Sequence, residues 1–318
     1  MEKEQKIGHF LAIFTIVIWG TTFISTKILL RDFDPVQILY IRFLIGLLVL
    51  FFMAPKRLKG TSWKEELTFA GAGLTGLCLY YLLENIALTY TMASNVGVII
   101  AVAPFFSGLI THFFMKESEK LGLSFFLGFV VAMVGIFLIS FNGSKLHINP
   151  LGDLLTLLAS IVWGFYALLS KKVGTFGYSM VLVTRRIFFY GILWMLPVFP
   201  FLHTSFDFAG LLKPVNLLNF LYLGVGASAL CFVTWNLAVK KLGVITTSAY
   251  IYASPVVTLI ASFLILQERL TPLSIMGTVF TLAGVILSES KSFIRSKKGS
   301  IEASREISSN GNIAKDTV

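Results

Sequence analysis

A chain of 318 residues, 56% of them apolar and only 13% charged, with a mean hydropathy of +0.83, cannot fold as a water-soluble domain without leaving a very large apolar surface in water. Its net charge of +10 needs no nucleic acid, because connections that face anionic lipid account for an excess of Lys and Arg. Cys78 and Cys231 both fall in apolar runs, so they read as small packing residues and not as a disulfide framework or a metal site.

In chain order, the opening MEKEQKIGHF is not followed by a small-residue cleavage site, and the apolar stretch from Ile7 is long enough to span a bilayer. Residues 1–6 are therefore read as a short N-terminus kept in the mature chain. Apolar stretches near the roughly 20 residues that a bilayer demands follow at 7–30, 36–53, 67–88, 94–115, 121–141, 151–170, 180–202, 216–239, 244–266 and 272–289. Each is apolar all round, as helices that face lipid or other helices are. Breaks fall at Asp34-Pro35, Pro55-Lys56-Arg57, Lys116-Glu117, Asn142-Gly143-Ser144, Lys171-Lys172, Lys213-Pro214, Lys240-Lys241 and Thr271-Pro272. From Ser290 the tail, 290–318, is rich in Ser, Lys and Glu and reads as disordered or surface-lying.

Positive charge orients the chain, since cytoplasmic loops retain Lys and Arg. An internal N-terminus puts Lys3, Lys6, Lys56, Arg57, Lys59, Lys64, Lys116, Lys120, Lys171, Lys172, Lys240, Lys241 and the basic tail on one side. It leaves Arg31, Lys145, Lys213 and Arg269 on the other. Both termini are expected in the cytoplasm of a cell with a bacterial inner membrane.

The second half repeats the first. At an offset of 144 residues, Gly8-His9 faces Gly152-Asp153, Ile18-Trp19-Gly20 faces Val162-Trp163-Gly164, Lys27 faces Lys171 and Arg42 faces Arg186. A longer loop near 203–215 raises the offset to 151, where Gly73 meets Gly224, Asn85 meets Asn236, Pro104 meets Pro255 and Glu117 meets Glu268. Gly128 and Gly135 then meet Gly277 and Gly284. Five helices per unit is an odd number, so the second copy enters the membrane from the opposite face. The expected fold is all-α and integral to the membrane: ten transmembrane helices as two inverted five-helix repeats, 7–141 and 151–289, joined by an external linker at 142–150 and arranged around a central cavity.

WGTTFISTK and WGFYALLSK in the opening helices, ALTYTMASNVGVI and AVKKLGVITTSAY between the third and fourth, and P-x(12)-E in both halves resemble the EamA-like members of the drug/metabolite transporter superfamily. The likeness runs from residue 10 to 289. It implies alternating access and export of a small organic metabolite, such as an amino acid or a drug-like amphipathic solute, with no cofactor. It does not fix the solute, and Glu84-Asn85 departs from the commoner apolar or singly polar pattern at that place.

Trp19 and Trp163 lie deep in their helices and not in the interfacial belt, so they read either as lining a solute pathway or as packing. Tyr80, Tyr81, Tyr166, Trp235, Tyr250 and Tyr252 would add aromatic walls with polar tips. Asn85 and Asn236 must bond across helices or touch solute. Pro104 and Pro255 free the carbonyls of Ile100 and Ile251, as a passive bend or as a gating hinge. The paired glycines read as close helix contacts.

Charges within the spans cost most. Lys27, Arg42 and Glu84 fall at similar depth and are read as one cluster. Glu84 is taken as the only carboxylate within a span, fit either to pair with Lys27 or Arg42 or, isolated, to take up a proton and couple transport to a proton gradient. Arg185, Arg186 and Lys171 find no acid at their depth within these limits and are read as reaching for lipid phosphates. Glu117 and Glu268 sit at helix ends and read as capping or pairing locally. The histidines, at 9, 112, 147 and 203, are scattered, and the chain carries no HExxH, GxSxG or Walker loop, which argues against a hydrolase or an ATP-driven pump. A solute channel or a membrane-embedded sensor remains the rival reading. Saturable counterflow separates a carrier from a channel.

Overall fold

The structure is a computed structural model that describes residues 2–114, 122–140, 150–201, 208–242, 249–284 and 286–287. The described residues hold helices and no strand. Seven helices have the length and composition to cross a membrane: Glu4–Leu29, Pro35–Met53, Trp63–Tyr90, Ala93–Phe114, Pro150–Gly174, Met180–Val198 and Pro214–Trp235. Leu123–Leu138, Ser254–Leu266 and Pro272–Gly284 are shorter and also apolar. These ten segments in chain order are called α1 (Glu4–Leu29), α2 (Pro35–Met53), α3 (Trp63–Tyr90), α4 (Ala93–Phe114), α5 (Leu123–Leu138), α6 (Pro150–Gly174), α7 (Met180–Val198), α8 (Pro214–Trp235), α9 (Ser254–Leu266) and α10 (Pro272–Gly284). Helical residues extend α1 back to Glu2, α5 on to Ser140 and α8 on to Leu242.

Local chemistry sets several of these ends. Pro35 opens α2 at a position where its missing N–H costs nothing, and the Gln37 side chain accepts from the Asp34 backbone N–H at 3.1 Å. Ser62 and Glu65 cap α3 reciprocally: the Ser62 N–H donates to Glu65 Oε2 at 2.6 Å and the Glu65 N–H to Ser62 Oγ at 3.3 Å. α3 therefore begins at Trp63, a turn before the hydropathy rises. Both α3 and α8 pass through π-helical turns, at Leu74–Leu79 and Tyr222–Leu230, just after the paired Gly73 and at the paired Gly224. α4 is interrupted at Ala101-Val102, between Ile100 and Ala103. α9 is entered through a 3-10 turn, Ala249–Ala253.

The halves interlock. α1 packs against α8 and α9, while α6 packs against α3 and α4; α2 lies on α8, α7 on α3, and α4 on α9. Glycine lets backbones meet at these seams. A Cβ on Gly73 would lie 2.7 Å from the Ile187 carbonyl of α7, and one on Gly224 3.0 Å from the Arg42 carbonyl of α2. A Cβ on Gly135 would sit 2.4 Å from Thr281 N, and one on Gly284 2.3 Å from Ala132 N, so α5 and α10 touch through small residues. Hydroxyls add interhelical bonds: Thr15 to Thr234 at 2.7 Å, Ser25 to Asn219 at 2.6 Å and Thr258 to the Gly20 carbonyl at 2.7 Å. Phe52, Phe113, Val130, Phe137, Leu218, Leu264 and Val279 point outward and are exposed, an apolar skin that only a lipid environment tolerates on this scale.

Candidate functional site

The interior between the halves is a continuous chain of aromatic rings. Trp235 leads to Trp19 (centroids 5.3 Å apart), Trp19 to Phe232 (5.8 Å), Phe232 to Phe188 (5.4 Å) and Phe188 to Phe43 (5.3 Å). From Phe43 the contacts run to Tyr81 (5.0 Å), Tyr80 (4.7 Å), Trp163 (4.8 Å) and Tyr166 (4.8 Å). Helices α1, α2, α3, α6, α7 and α8 all contribute. The two paired tryptophans thus stand toward opposite ends of one aromatic layer. The Trp19 indole N–H donates to the Ala227 carbonyl at 3.0 Å, within the π-helical part of α8, where the i to i+4 ladder is displaced and carbonyls are open to other donors.

Arg42 lies across the middle of that layer, its guanidinium carbon 4.6 Å from the centroid of Tyr81 and 5.1 Å from that of Phe43. It is 0% exposed, and none of its three guanidinium nitrogens has a hydrogen-bond partner. A cation–π contact contributes about 0.5–2 kcal/mol, whereas a buried, unpaired charge costs several kcal/mol, so the rings alone do not offset this burial. Glu84, one turn below Tyr80 on α3, is 1% exposed and faces Arg42 and the Tyr80 hydroxyl, yet its Oε1 is unpartnered and no ion pair joins it to Arg42. Ser228, whose Oγ is also without a partner among the described residues, packs its Cβ against Gly46, one turn along α2 from Arg42.

The other residues singled out in the sequence stand apart. Lys27 donates to the carbonyls of Leu88 and Thr91, the latter at 2.7 Å, so it closes the end of α3. The charge it feels is Glu268, not Glu84. The expected cluster of three charges is therefore a pair plus a separate helix-end lysine, because α1 turns Lys27 toward the α3–α4 connection. Asn85 donates to the Pro35 carbonyl at 3.1 Å. Tyr250 meets His9 at 2.6 Å, about 15 Å along α1 from Trp19, and is not part of the aromatic layer. Pro104 sits in the first turn after the break in α4, and Pro255 in the first turn of α9, after its 3-10 entry. The side chains of Asn236 and Tyr252, and Glu117 altogether, lie outside the described residues.

Residues 6–141 and 150–289 each match the sequence profile of the EamA-like transporter family. The chain belongs to that family. It is a multi-pass membrane protein and a transporter. An "Uncharacterized transporter" of Archaeoglobus fulgidus is 28% identical and covers 89% of this chain and 97% of its own length. A "Probable terminal-alkyne amino-acid exporter" of Streptantibioticus cattleyicolor is 26% identical, with 92% and 97% covered. A "Probable amino-acid metabolite efflux pump" of Escherichia coli (strain K12) is 24% identical, with 87% and 93% covered. A crystal structure 16% identical in sequence superposes with a TM-score of 0.63 over 89% of this chain and 97% of its own, a likeness of fold.

Within this EamA-like fold, three features depart from the expectations set by sequence. Arg186 is paired, 3.1 Å from Glu66, and Tyr190 donates to the same carboxylate at 2.6 Å. Glu66 lay outside the hydropathy-based limits of α3, but the S-x-x-E pattern at Ser62–Glu65 carries the signal that extends the helix to it. Arg185 reaches the carbonyls of Ala54 and Lys56. Second, Glu84 is not the only carboxylate on a spanning helix: Glu65, Glu66 and Asp153 sit near helix ends, Asp153 accepting from Thr91 at 2.9 Å. Third, Glu268 caps at long range, accepting from the backbone N–H groups of Ala93 (2.9 Å) and Ser94 (3.1 Å) at the start of α4.

Proposed function

We propose that this EamA-like protein is a secondary exporter of small amino-acid-like metabolites that works by alternating access in a bacterial cytoplasmic membrane. In this reading the ten apolar segments all cross the bilayer, as two inverted five-helix units at 7–141 and 151–289, with both termini inside. The observation that carries it is the aromatic layer between the halves, Trp19 and Trp163 included, with Arg42 and Glu84 buried in its middle. A midplane site at a repeat interface is where such carriers hold solute. The reciprocal packing of α1 on α8 and α6 on α3, and the π-helical turns near Gly73 and at Gly224, support two equivalent units. The break in α4 before Pro104 and the 3-10 entry to α9 before Pro255 support a moving pair. The names of the Streptantibioticus and Escherichia relatives support an amino-acid class of solute, and Glu84 is the group fit to exchange a proton against it.

Purified protein in proteoliposomes should show saturable counterflow of members of a pooled amino-acid and metabolite set. Flux that never saturates would make it a channel, and no flux for any member would leave a sensor. In a background with Cys78→Ala and Cys231→Ala, Ser62→Cys should resist an impermeant thiol reagent in intact cells while Ser144→Cys reacts. The opposite labelling would reverse the orientation.

A further inference from the structure

Resting on that exporter reading, we propose that Arg42 and Glu84 are the two ends of a zwitterion clamp: Arg42 takes the α-carboxylate of an amino acid, Glu84 its ammonium group, and the aromatic layer its apolar side chain. The chemistry of the two groups selects this class. A guanidinium offers five donors in a fork that matches a carboxylate bidentately, and all three nitrogens of Arg42 are buried without a partner among the described residues. A carboxylate oxygen equally short of a donor stands within electrostatic reach, and the two groups do not close on each other. A simple cation would satisfy Glu84 and leave Arg42 bare; a simple anion would do the reverse. A ligand carrying both charged groups on one carbon satisfies both.

The tail of the ligand follows from the surroundings. Arg42 already covers the faces of Tyr81 and Phe43, so a carboxylate arriving at its fork lies against rings. Tyr80 and Trp163 continue the apolar wall beyond Glu84. Aromatic or large aliphatic amino acids fit such a wall, whereas a second charged group on the side chain would meet no counter-charge in it.

The test needs no variant at first. Thermal melts of the purified protein in detergent are recorded against L-phenylalanine, 2-phenylethylamine (no carboxylate) and 3-phenylpropionate (no amine). Concentration-dependent stabilisation by the amino acid is expected, with each truncated analogue at least about 30-fold weaker, because a site built around buried polar groups rejects a ligand that leaves one unpaired. Arg42→Gln should then treat the amino acid and the amine alike, and Glu84→Gln the amino acid and the acid alike; Arg42→Lys supplies a charged replacement should Arg42→Gln melt early. Equal response to all three compounds, or to the amine alone, overturns the clamp. Counterflow of some non-zwitterionic metabolite without any response to amino acids overturns it too, while leaving the exporter reading standing. Absence of counterflow for every solute overturns the exporter reading itself.

Discussion

Arg42 and Arg186 hold matching places 144 residues apart, on helices that each lie against a π-turned partner, α2 on α8 and α7 on α3. Their surroundings differ completely. Arg186 is a third exposed, with Glu66 at 3.1 Å and only its Nε buried without a partner among the described residues. Arg42 is fully buried and its nitrogens are bare. The acids explain the difference: at the offset of 151, Glu66 corresponds to Leu217 and Glu84 to Trp235, so both carboxylates belong to the first half. The paired glycines behave otherwise, with Gly135 and Gly284 making mirror-image contacts between α5 and α10. Backbone packing follows the sequence repeat, while polar chemistry departs from it where the solute would sit.

The largest effect should separate the two arginines. Removing one member of a desolvated charged contact costs about 2–5 kcal/mol, roughly 30-fold to several thousandfold in a rate or an affinity, whereas a partly exposed ion pair contributes about 0–1 kcal/mol. In counterflow assays Arg42→Gln is expected to lose transport by at least about 30-fold and Arg186→Gln by less than about fivefold. Equal losses would erase the distinction drawn here between a working arginine and a bracing one.

The glycines provide the opposite expectation, equality. A methyl group at Gly135 or Gly284 meets backbone atoms that cannot yield, and overpacking of this kind costs about 1–3 kcal/mol. Detergent melts of Gly135→Ala and Gly284→Ala should fall by similar amounts. Gly226→Ala, whose new carbon would lie no nearer than 3.7 Å to Tyr222, should melt as the parent does. A large difference within the symmetric pair would mean that α5 and α10 do not share one seam.

The membrane class was legible from composition, because a bilayer allows little besides apolar helices, whereas of the ten spans expected from run lengths seven are helices long and apolar enough to cross among the described residues. The aromatic layer was half legible. Trp19, Trp163, Tyr80, Tyr81 and Tyr166 could be named from depth and repetition, but Phe43, Phe188 and Phe232 could not be told from the other phenylalanines without knowing which face each helix turns inward. Helix rotation is also why Lys27, at the same depth as Arg42, ended up closing α3 instead of joining Glu84. A uniformly apolar helix carries almost no periodicity to reveal that angle. Glu66 was missed for a simpler reason: hydropathy marks where lipid begins, and the capping box marks where the helix begins.

A smaller effect is expected at Trp19. Trp19→Phe keeps a ring in the layer and removes the donor to the Ala227 carbonyl, so folding stability should drop by about 1 kcal/mol, the usual net value of one hydrogen bond. Trp163→Phe should change stability less, since a phenyl ring keeps the ring contacts that Trp163 makes with Tyr80 and Tyr166 and its indole N–H has no acceptor among the described residues. The reverse order would place the stronger tie between the halves at α6.

The smallest effect lies at the exposed extreme of the same series of charges, at Asp32 between α1 and α2. Its carboxylate accepts from Asn216 Nδ2 at 2.7 Å and from Lys213 Nζ at 3.1 Å, and these bonds, Asn216 first, hold it below the usual carboxylate range. A group whose folded value is depressed adds stability above its unfolded value of about 4, and that contribution disappears as the pH falls through the lower folded value. Asp32→Asn should therefore melt slightly below the parent at about pH 7, and the gap should narrow on acidification toward about pH 3. Salt should narrow it as well, because Lys213 is more than half exposed and its attraction is screened over a Debye length of about 10 Å in 0.1 M salt. The Arg42 effects should resist the same salt, being remote from solvent. A gap at Asp32 that widens in acid would reverse the sign argued here, and equal salt sensitivity at Arg42 would show that water reaches the aromatic layer.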